Sequence, residues 1–165
     1  MDDYDQIIVV IEIETSQRGP VETDGWYRYN LTAYKLKVTK EQEYPLAPVT
    51  TRKQYERIHS RYGDLTDYTG AEYDAAVEAL LQASRHLKRG NYDSVRIASR
   101  CPAIGEAIYS LRQWEKNGWK RTRGKKIAHV AKWQEIAERL GCSYDMIRQD
   151  EIPRSRINNS AAAIL

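Results

Sequence analysis

Cysteine and long apolar runs are scarce in this sequence, and each scarcity excludes a class of protein. The 165-residue chain has two cysteines, Cys101 and Cys142, whose wide spacing fits neither a zinc site nor a disulfide framework. We expect both to be free, buried thiols in a reducing compartment. No apolar run approaches the ~18 residues of a membrane span, and the N-terminus is acidic where a signal peptide would be basic. The sequence therefore predicts a cytoplasmic or other reducing intracellular location and no membrane partner.

The composition is that of one globular domain with an uneven charge distribution. Apolar residues make up 41% of the chain, and helical and strand periodicities are both present, so a single domain over residues 1–165 is expected. Residues 1–24 hold seven acidic residues and one basic residue, whereas residues 114–134 hold seven Lys or Arg residues and one Glu. This asymmetry indicates a polyanionic partner at one end of the molecule.

Hydrophobic periodicity predicts a mixed sheet with helices packed on it. For the third strand, a basic helix is the alternative interpretation. The predicted order along the chain is strands at 6–14, 25–38 and 54–63, a helix at 69–90, a strand at 94–99, a helix from Pro102 to Asn117, a helix carrying Val130 to Leu140, a strand at 142–148 and a helix at 155–165.

Two segments resemble the ribonuclease H family. At 63–83, Ala71, Glu72 and Tyr73 fit the opening of that family's first helix. The more specific match is the basic protrusion of bacterial-type members, at about 114–133, which is reproduced by Trp114, Gly118, Trp119, Lys120, Gly124, Lys125, Trp133 and Gln134. The resemblance implies an α/β fold, a ribonuclease H-like mixed five-stranded sheet flanked by helices.

The family's chemistry, as the resemblance implies it, is two-metal hydrolysis of the RNA strand of an RNA/DNA hybrid, and it requires about four carboxylates. Glu14 stands at the first aspartate position, and Glu72 at the second carboxylate. Arg100 replaces the third acid, and Asn158 or Asn159 the last. Glu14 and Glu72 are thus expected to be remnants of a catalytic set. We expect no bound metal, with Mg²⁺ or Mn²⁺ required only if a rearranged carboxylate set is active.

Structural interpretations stand beside the functional ones. Thr69 and Glu72 have the spacing of a capping box, in which Glu72 would bond back to the Thr69 backbone. Glu14 is expected either to be solvated or to pair with Arg100. Trp114 and Trp133 continue apolar helical faces, which is typical of core residues.

The basic segment, residues 114–126, is predicted to bind nucleic acid. Cations interleaved with an aromatic side chain suit phosphate neutralisation and base stacking, whereas the alternative is a solvated cationic loop. The predicted binding residues are Lys116, Trp119, Lys120, Arg121, Arg123, Lys125 and Lys126. Tyr68 and Thr69 stand where the family has two asparagines against the RNA backbone, so the preference for hybrids is open.

Three hypotheses follow. The first is a catalytically degenerate ribonuclease H-like protein, an inactive nuclease that binds RNA/DNA hybrid or structured RNA through the basic segment. The second is a protein-interaction module on a dead nuclease fold, which docks a partner through its acidic N-terminal edge or a tyrosine-rich strand face formed by Tyr27, Tyr29 and Tyr34. The third is an active metal-dependent endoribonuclease with a rearranged carboxylate site.

Overall fold

The computed structural model of the protein describes residues 4–120 and 126–153. Those ranges contain five strands, three α-helices and one short 3₁₀ helix. In chain order they are β1 (Tyr4–Thr15), β2 (Thr23–Glu41), β3 (Thr50–Gly70), α1 (Glu72–Ser84), β4 (Ser94–Ser99), α2 (Pro102–Lys116), α3 (Val130–Leu140), β5 (Tyr144–Met146) and the 3₁₀ helix (Gln149–Glu151). No described helix is long and apolar enough to cross a lipid bilayer.

The five strands form one mixed sheet in the order β3-β2-β1-β4-β5. β1 pairs antiparallel with β2, and β2 antiparallel with β3. β4 lies parallel to β1 and β5 parallel to β4. The predicted fold class, an α/β mixed five-stranded sheet flanked by helices, is confirmed.

β1 is the central strand because its sequence is apolar on both faces. Val9, Ile11 and Ile13 point to the main core, which the sheet shares with α1, α2 and α3. Ile8 and Val10 point the opposite way, into a smaller cluster with residues of β2. Where the alternation turns polar, Glu14 is exposed at the carboxyl end of the strand. That end of β1 forms one wall of the candidate site.

The hairpin of β2 and β3 is longer than the sequence pattern predicts. Residues 54–63 are strand rather than basic helix, and β3 extends on both sides of them because β2 provides a pairing partner from Thr23 to Glu41. Its β-bulge opposite Ala33 and Tyr34 lets Ile58 reach the main core. β3 is an edge strand and is polar over most of its length, which discourages pairing with other chains.

Four sequence predictions are corrected or lie outside the described ranges. The first helix ends at Ser84, not at Gly90, because Ser84 bonds its hydroxyl to the Leu81 carbonyl and the chain turns to bury Leu87. Cys142 is exposed because it follows the end of α3 at the surface, whereas Cys101 is buried as predicted.

Tyr27, Tyr29 and Tyr34 are buried on the two faces of the sheet, so they form no exposed docking face. The predicted helix at 155–165 lies outside the described residues.

Candidate nucleic-acid interface

A cleft lies where the carboxyl ends of β1 and β4 meet the start of α1. Its volume is about 270 Å³, and the structure places Glu14, Glu72 and Arg100 in its lining. β1 and β4 are parallel neighbours with Ile13 opposite Ser99, so Glu14 and Arg100 follow at adjacent strand ends. The other lining residues are Ile13, Thr15, Arg18, Trp26, Ser99 and Cys101.

Glu14 is paired with Arg28, and the expected pair with Arg100 is not formed. The antiparallel register of β1 and β2 places Arg28 directly opposite Glu14, and their side-chain atoms are 3.8 Å apart. Both side chains are about half exposed, so the pair contributes at most about 1 kcal/mol. Its main consequence is that the nearest cation to Glu14 comes from β2. Arg28 also lies 4.2 Å from the centroid of the Trp26 ring.

Glu72 connects the loop after β1 to the start of α1 through two hydrogen bonds. Its carboxylate accepts the Gly19 N–H at 2.9 Å, while its own N–H donates to the Gly19 carbonyl at 3.1 Å. Gly19 has φ +74°, in the left-handed region that glycine adopts without strain. This reciprocal contact occupies one oxygen of the carboxylate.

The predicted capping box of Thr69 and Glu72 is wrong. Thr69 still belongs to β3, where its hydroxyl donates to Asp24 at 2.6 Å. Ala71 precedes the helix, and the Asp74 carboxylate accepts the Ala71 N–H at 3.2 Å. The acid that bonds back to the helix start therefore lies two residues later than predicted.

Two guanidinium groups complete the polar lining of the cleft. Arg18 donates from Nη1 to the carbonyl of Gln17 at 2.7 Å and to that of Thr15. Arg100 is exposed, and within 4–120 and 126–153 no ion pair involves it. Burial raises the pKa of the Cys101 thiol, and the nearby Glu72 carboxylate raises it further, so the thiol stays protonated.

The donor groups of the described residues do not fit a two-metal centre. Among the described residues, no three Asp, Glu, His or Cys side chains are grouped so that they could hold a metal ion. Glu14 already faces Arg28, and Glu72 is bonded to Gly19. Asp93, at the opposite end of β4, accepts the Ile7 N–H at 2.7 Å. Asn158 and Asn159 lie outside the described residues.

The basic segment begins at the end of α2, and the structure describes four of its seven predicted binding residues. Lys116 is the last residue of α2, and Trp119 and Lys120 follow. Lys126 precedes α3. Arg121, Arg123 and Lys125 lie outside the described ranges.

Two consecutive left-handed residues turn the chain out of α2. Gly118 has φ +66° and Trp119 φ +65°, a conformation that costs a non-glycine residue energy. The Trp119 N–H donates to the Trp114 carbonyl at 2.7 Å, and its half-buried indole packs against the main core. Trp119 is therefore a partly exposed aromatic beside cations, as the sequence suggests.

The lysines of this segment are free of acidic partners in the described part of the chain. Lys116, Lys120 and Lys126 are exposed. No ion pair between described residues involves any of the three. Their charges are thus available to an external anion.

The helices at both ends of the basic segment, α2 and α3, are joined by packing, and α3 also packs against α1. Trp114 and Trp133 are buried, as predicted, with ring centroids 6.3 Å apart. The Trp133 indole N–H donates to the Tyr73 hydroxyl at 2.9 Å. His129, just before α3, lies 2.6 Å from the Asp74 carboxylate. The described lysines therefore project from a firmly anchored base.

No model of a known protein family matches the chain, and no curated protein matches it. The chain is similar in structure to a viral protease-reverse transcriptase and to solved ribonuclease H proteins. These include the foamy viral protease-reverse transcriptase in complex with dsDNA (15% identity over 90% of this chain and 83% of that chain, TM-score 0.48), the PFV RNase H domain in solution (16%, 89% and 80%, TM-score 0.46) and LC11-RNase H1 in complex with an RNA/DNA hybrid (16%, 88% and 86%, TM-score 0.40). At these identities and scores the likeness concerns the fold alone.

Sequence reasoning missed the residues that balance the cleft. Arg28 lies inside a predicted strand, and only the register of β1 against β2 places it beside Glu14. Arg18 and Gln17 lie in the connection after β1, where the buried Gln17 side chain donates to the Tyr68 carbonyl at 3.1 Å. A glutamine between a strand and a Gly-Pro turn is a weak signal for such a role.

Proposed function

We propose that this protein is a catalytically degenerate ribonuclease H-like protein that binds nucleic acid, as RNA/DNA hybrid or structured RNA, through its basic segment. The observation that carries the proposal is the set of exposed lysines, Lys116, Lys120 and Lys126, which have no ion-pair partner among the described residues. Phosphate neutralisation by such lysines supplies affinity without reading sequence.

Trp119 supports the same proposal in a second way. Its indole lies between Lys116 and Lys120 in sequence and is held against the core while part of it stays exposed. An aromatic ring fixed beside cations can stack on a base or contact a sugar. This contact adds affinity that depends weakly on salt, whereas the lysine contacts depend on it strongly.

Fluorescence anisotropy with a labelled RNA/DNA hybrid tests the binding. Each lost phosphate contact reduces the slope of log K against log[salt] by about 0.9, so Lys116→Glu with Lys120→Glu is expected to reduce it by about two and to weaken binding at least about tenfold. The matched control is Lys37→Glu with Lys40→Glu, which changes two exposed lysines of β2 by the same charge. Equal losses of affinity in both double variants would show that only the net charge of the protein matters, and would contradict the assignment of the binding surface to the basic segment.

The degenerate part of the proposal rests on the cleft. It offers two carboxylates, and each faces a partner from the chain, Arg28 or Gly19. With hybrid and Mg²⁺ or Mn²⁺ we expect no cleavage above background. Metal-dependent cutting of the RNA strand that disappears in Glu72→Gln would restore the active-enzyme hypothesis.

A second candidate function, docking of a protein partner, is favoured by the tip of the β2–β3 hairpin. Leu46 is 99% exposed there, in a turn closed by the Ala47 N–H donating to the Tyr44 carbonyl at 3.0 Å. Tyr44 and Val49 beside it are also exposed. A loss of partner binding in Leu46→Ser, with nucleic-acid binding unchanged, would support this alternative over the first.

A further inference from the structure

The cleft at the ends of β1 and β4 carries a positive charge that the basic segment does not explain. The charges of its lining residues cancel, since two Arg and two Glu side chains line it, and the excess comes from a neighbouring arginine. Arg28, which is outside the lining, already faces Glu14. One guanidinium is therefore in excess, and Arg100 is the exposed cation with no ion-pair partner in the described ranges.

Arg18 and Arg100 both line the cleft. Arg18 is fixed at the wall by its bonds to the Thr15 and Gln17 carbonyls. Arg100 immediately precedes Cys101, the residue before α2, and thus lies at the positive end of that helix. Guanidinium forks match phosphate oxygens in geometry as well as in charge.

The remaining lining suits a nucleoside. The Trp26 ring lines the cleft, and Arg28 Cζ lies 4.2 Å from the ring centroid. An aromatic ring in such a position can stack on a base. The carboxylates of Glu14 and Glu72 are acceptors for sugar hydroxyls. A volume of about 270 Å³ is close to the lower limit of small-molecule sites, roughly 300 Å³.

The geometry points to metal-independent binding of a nucleoside monophosphate in this cleft, with the phosphate on Arg18 and Arg100 and the base against Trp26. A free nucleotide and the phosphorylated end of a nucleic-acid chain offer the same chemistry. The site is distinct from Lys116, Lys120 and Lys126, so nucleotide binding in the cleft can be tested independently of nucleic-acid binding by the basic segment.

Isothermal titration calorimetry of the full chain with 5′-AMP in EDTA tests the inference. We expect 5′-AMP to bind at least about tenfold more tightly than adenosine or inorganic phosphate, because each of these lacks one half of the contacts. Arg100→Gln is expected to lower the affinity by about tenfold or more. Arg148→Gln is the matched control, since Arg148 is an exposed arginine that pairs with Asp150 and Glu151.

Short RNA with a 5′-phosphate or a 5′-hydroxyl then separates the two sources. A preference for the 5′-phosphate in wild type that is lost in Arg100→Gln identifies a nucleic-acid end, whereas tight binding of 5′-AMP without that preference identifies a free nucleotide. The inference is overturned by no 5′-AMP binding in EDTA, by binding only with Mg²⁺, or by equal affinity in Arg100→Gln and wild type. Salt-sensitive hybrid binding would survive each of those results, and its own failure would leave this site untouched.

Discussion

The cleft and the basic segment use charge in opposite ways. In the cleft, Glu14 faces Arg28 and Glu72 bonds to Gly19, so both carboxylates have partners within the chain. In the basic segment, the described lysines, Lys116, Lys120 and Lys126, have no ion-pair partner among the described residues. A carboxylate satisfied by the protein has less to offer a metal, whereas an unpaired surface lysine retains its attraction for phosphate. The proposed function requires this contrast, with lysines available to phosphate beside a cleft whose carboxylates are already partnered.

Trp133→Ala is expected to have the largest effect on stability, because it removes the packing that supports the basic segment. Trp133 is 0% exposed, contacts Trp114 and donates its indole N–H to Tyr73. Loss of so large a buried side chain should lower the free energy of unfolding by about 3–5 kcal/mol, measured by urea denaturation. Tyr109→Ala, at a tyrosine that is 91% exposed, is the control and should change it by less than about 0.5 kcal/mol. Similar losses in the two variants would contradict the anchoring described here.

Gly25→Ala is expected to disturb the cleft by about 1–3 kcal/mol of unfolding free energy. An added Cβ would lie 2.1 Å from Ser16 Oγ, and this hydroxyl accepts the Trp26 N–H at 2.8 Å. The buried Gln17 side chain, 3.1 Å from the same Cβ, limits the space for adjustment. Gly105→Ala in α2 meets only Met146 at 4.0 Å and should be neutral or stabilising. A neutral Gly25→Ala would show that this wall of the cleft is not tightly packed.

Arg100→Asp sharpens the comparison by adding a third carboxylate to the lining of the cleft, beside Glu14 and Glu72. We expect the variant, unlike wild type, to gain Mg²⁺ affinity. Mg²⁺ at about five times its Kd would then raise the unfolding free energy by about 1 kcal/mol in thermal or urea denaturation. Arg148→Asp controls for the change in net charge. Equal stabilisation of wild type by Mg²⁺ would mean that its cleft already holds the ion.

The smallest expected effect is a pH dependence that arises outside both regions, at His86. Burial lowers the pKa of His86, and Arg61 lowers it further. Arg61 can only donate, so it bonds to Nδ1 of the neutral ring at 2.7 Å, while Nε2 lies 3.0 Å from the Tyr29 hydroxyl.

Because the folded pKa is the lower one, the unfolded chain binds the proton more readily. This contribution to stability is complete above the ordinary pKa of about 6.5 and is lost as pH falls through the lowered folded value. The unfolding free energy, measured by urea denaturation between about pH 5 and pH 8, should rise with pH, and this rise should be smaller in His86→Gln. An unchanged slope in that variant would assign the dependence to other groups.

The sequence predicts the elements whose patterns are local. β4 is predicted at 94–99 and observed there, because a short apolar strand bounded by polar turns has few alternatives. α2 begins at Pro102, as a proline suited to the first helical turn indicates. Thr69 and Glu72 show the limit of this reasoning. Their spacing matches a capping motif, but pairing with β2 keeps Thr69 in β3.

The candidate site is predictable only in part, because its contacts depend on strand register. The resemblance to ribonuclease H implies that Glu14, Glu72 and Arg100 are neighbours, and all three line the cleft. The partner of Glu14 is decided by the pairing of β1 with β2, which local patterns do not specify. The residue charges indicate a polyanion-binding surface at the basic segment. The support of this segment by Trp133 and Tyr73 becomes visible only in the packed structure.

The most direct test follows one labelled RNA/DNA hybrid with the wild-type protein and Mg²⁺ at low and high salt, and divides each sample between a native gel and a denaturing gel. We predict a retarded hybrid at low salt, release at high salt, and an intact RNA strand on the denaturing gel throughout. A cut RNA strand that requires Mg²⁺ and Glu72 would contradict the account, since it would show that the cleft retains a working metal centre. An unretarded hybrid at low salt would contradict it from the other side, by removing the grip on nucleic acid.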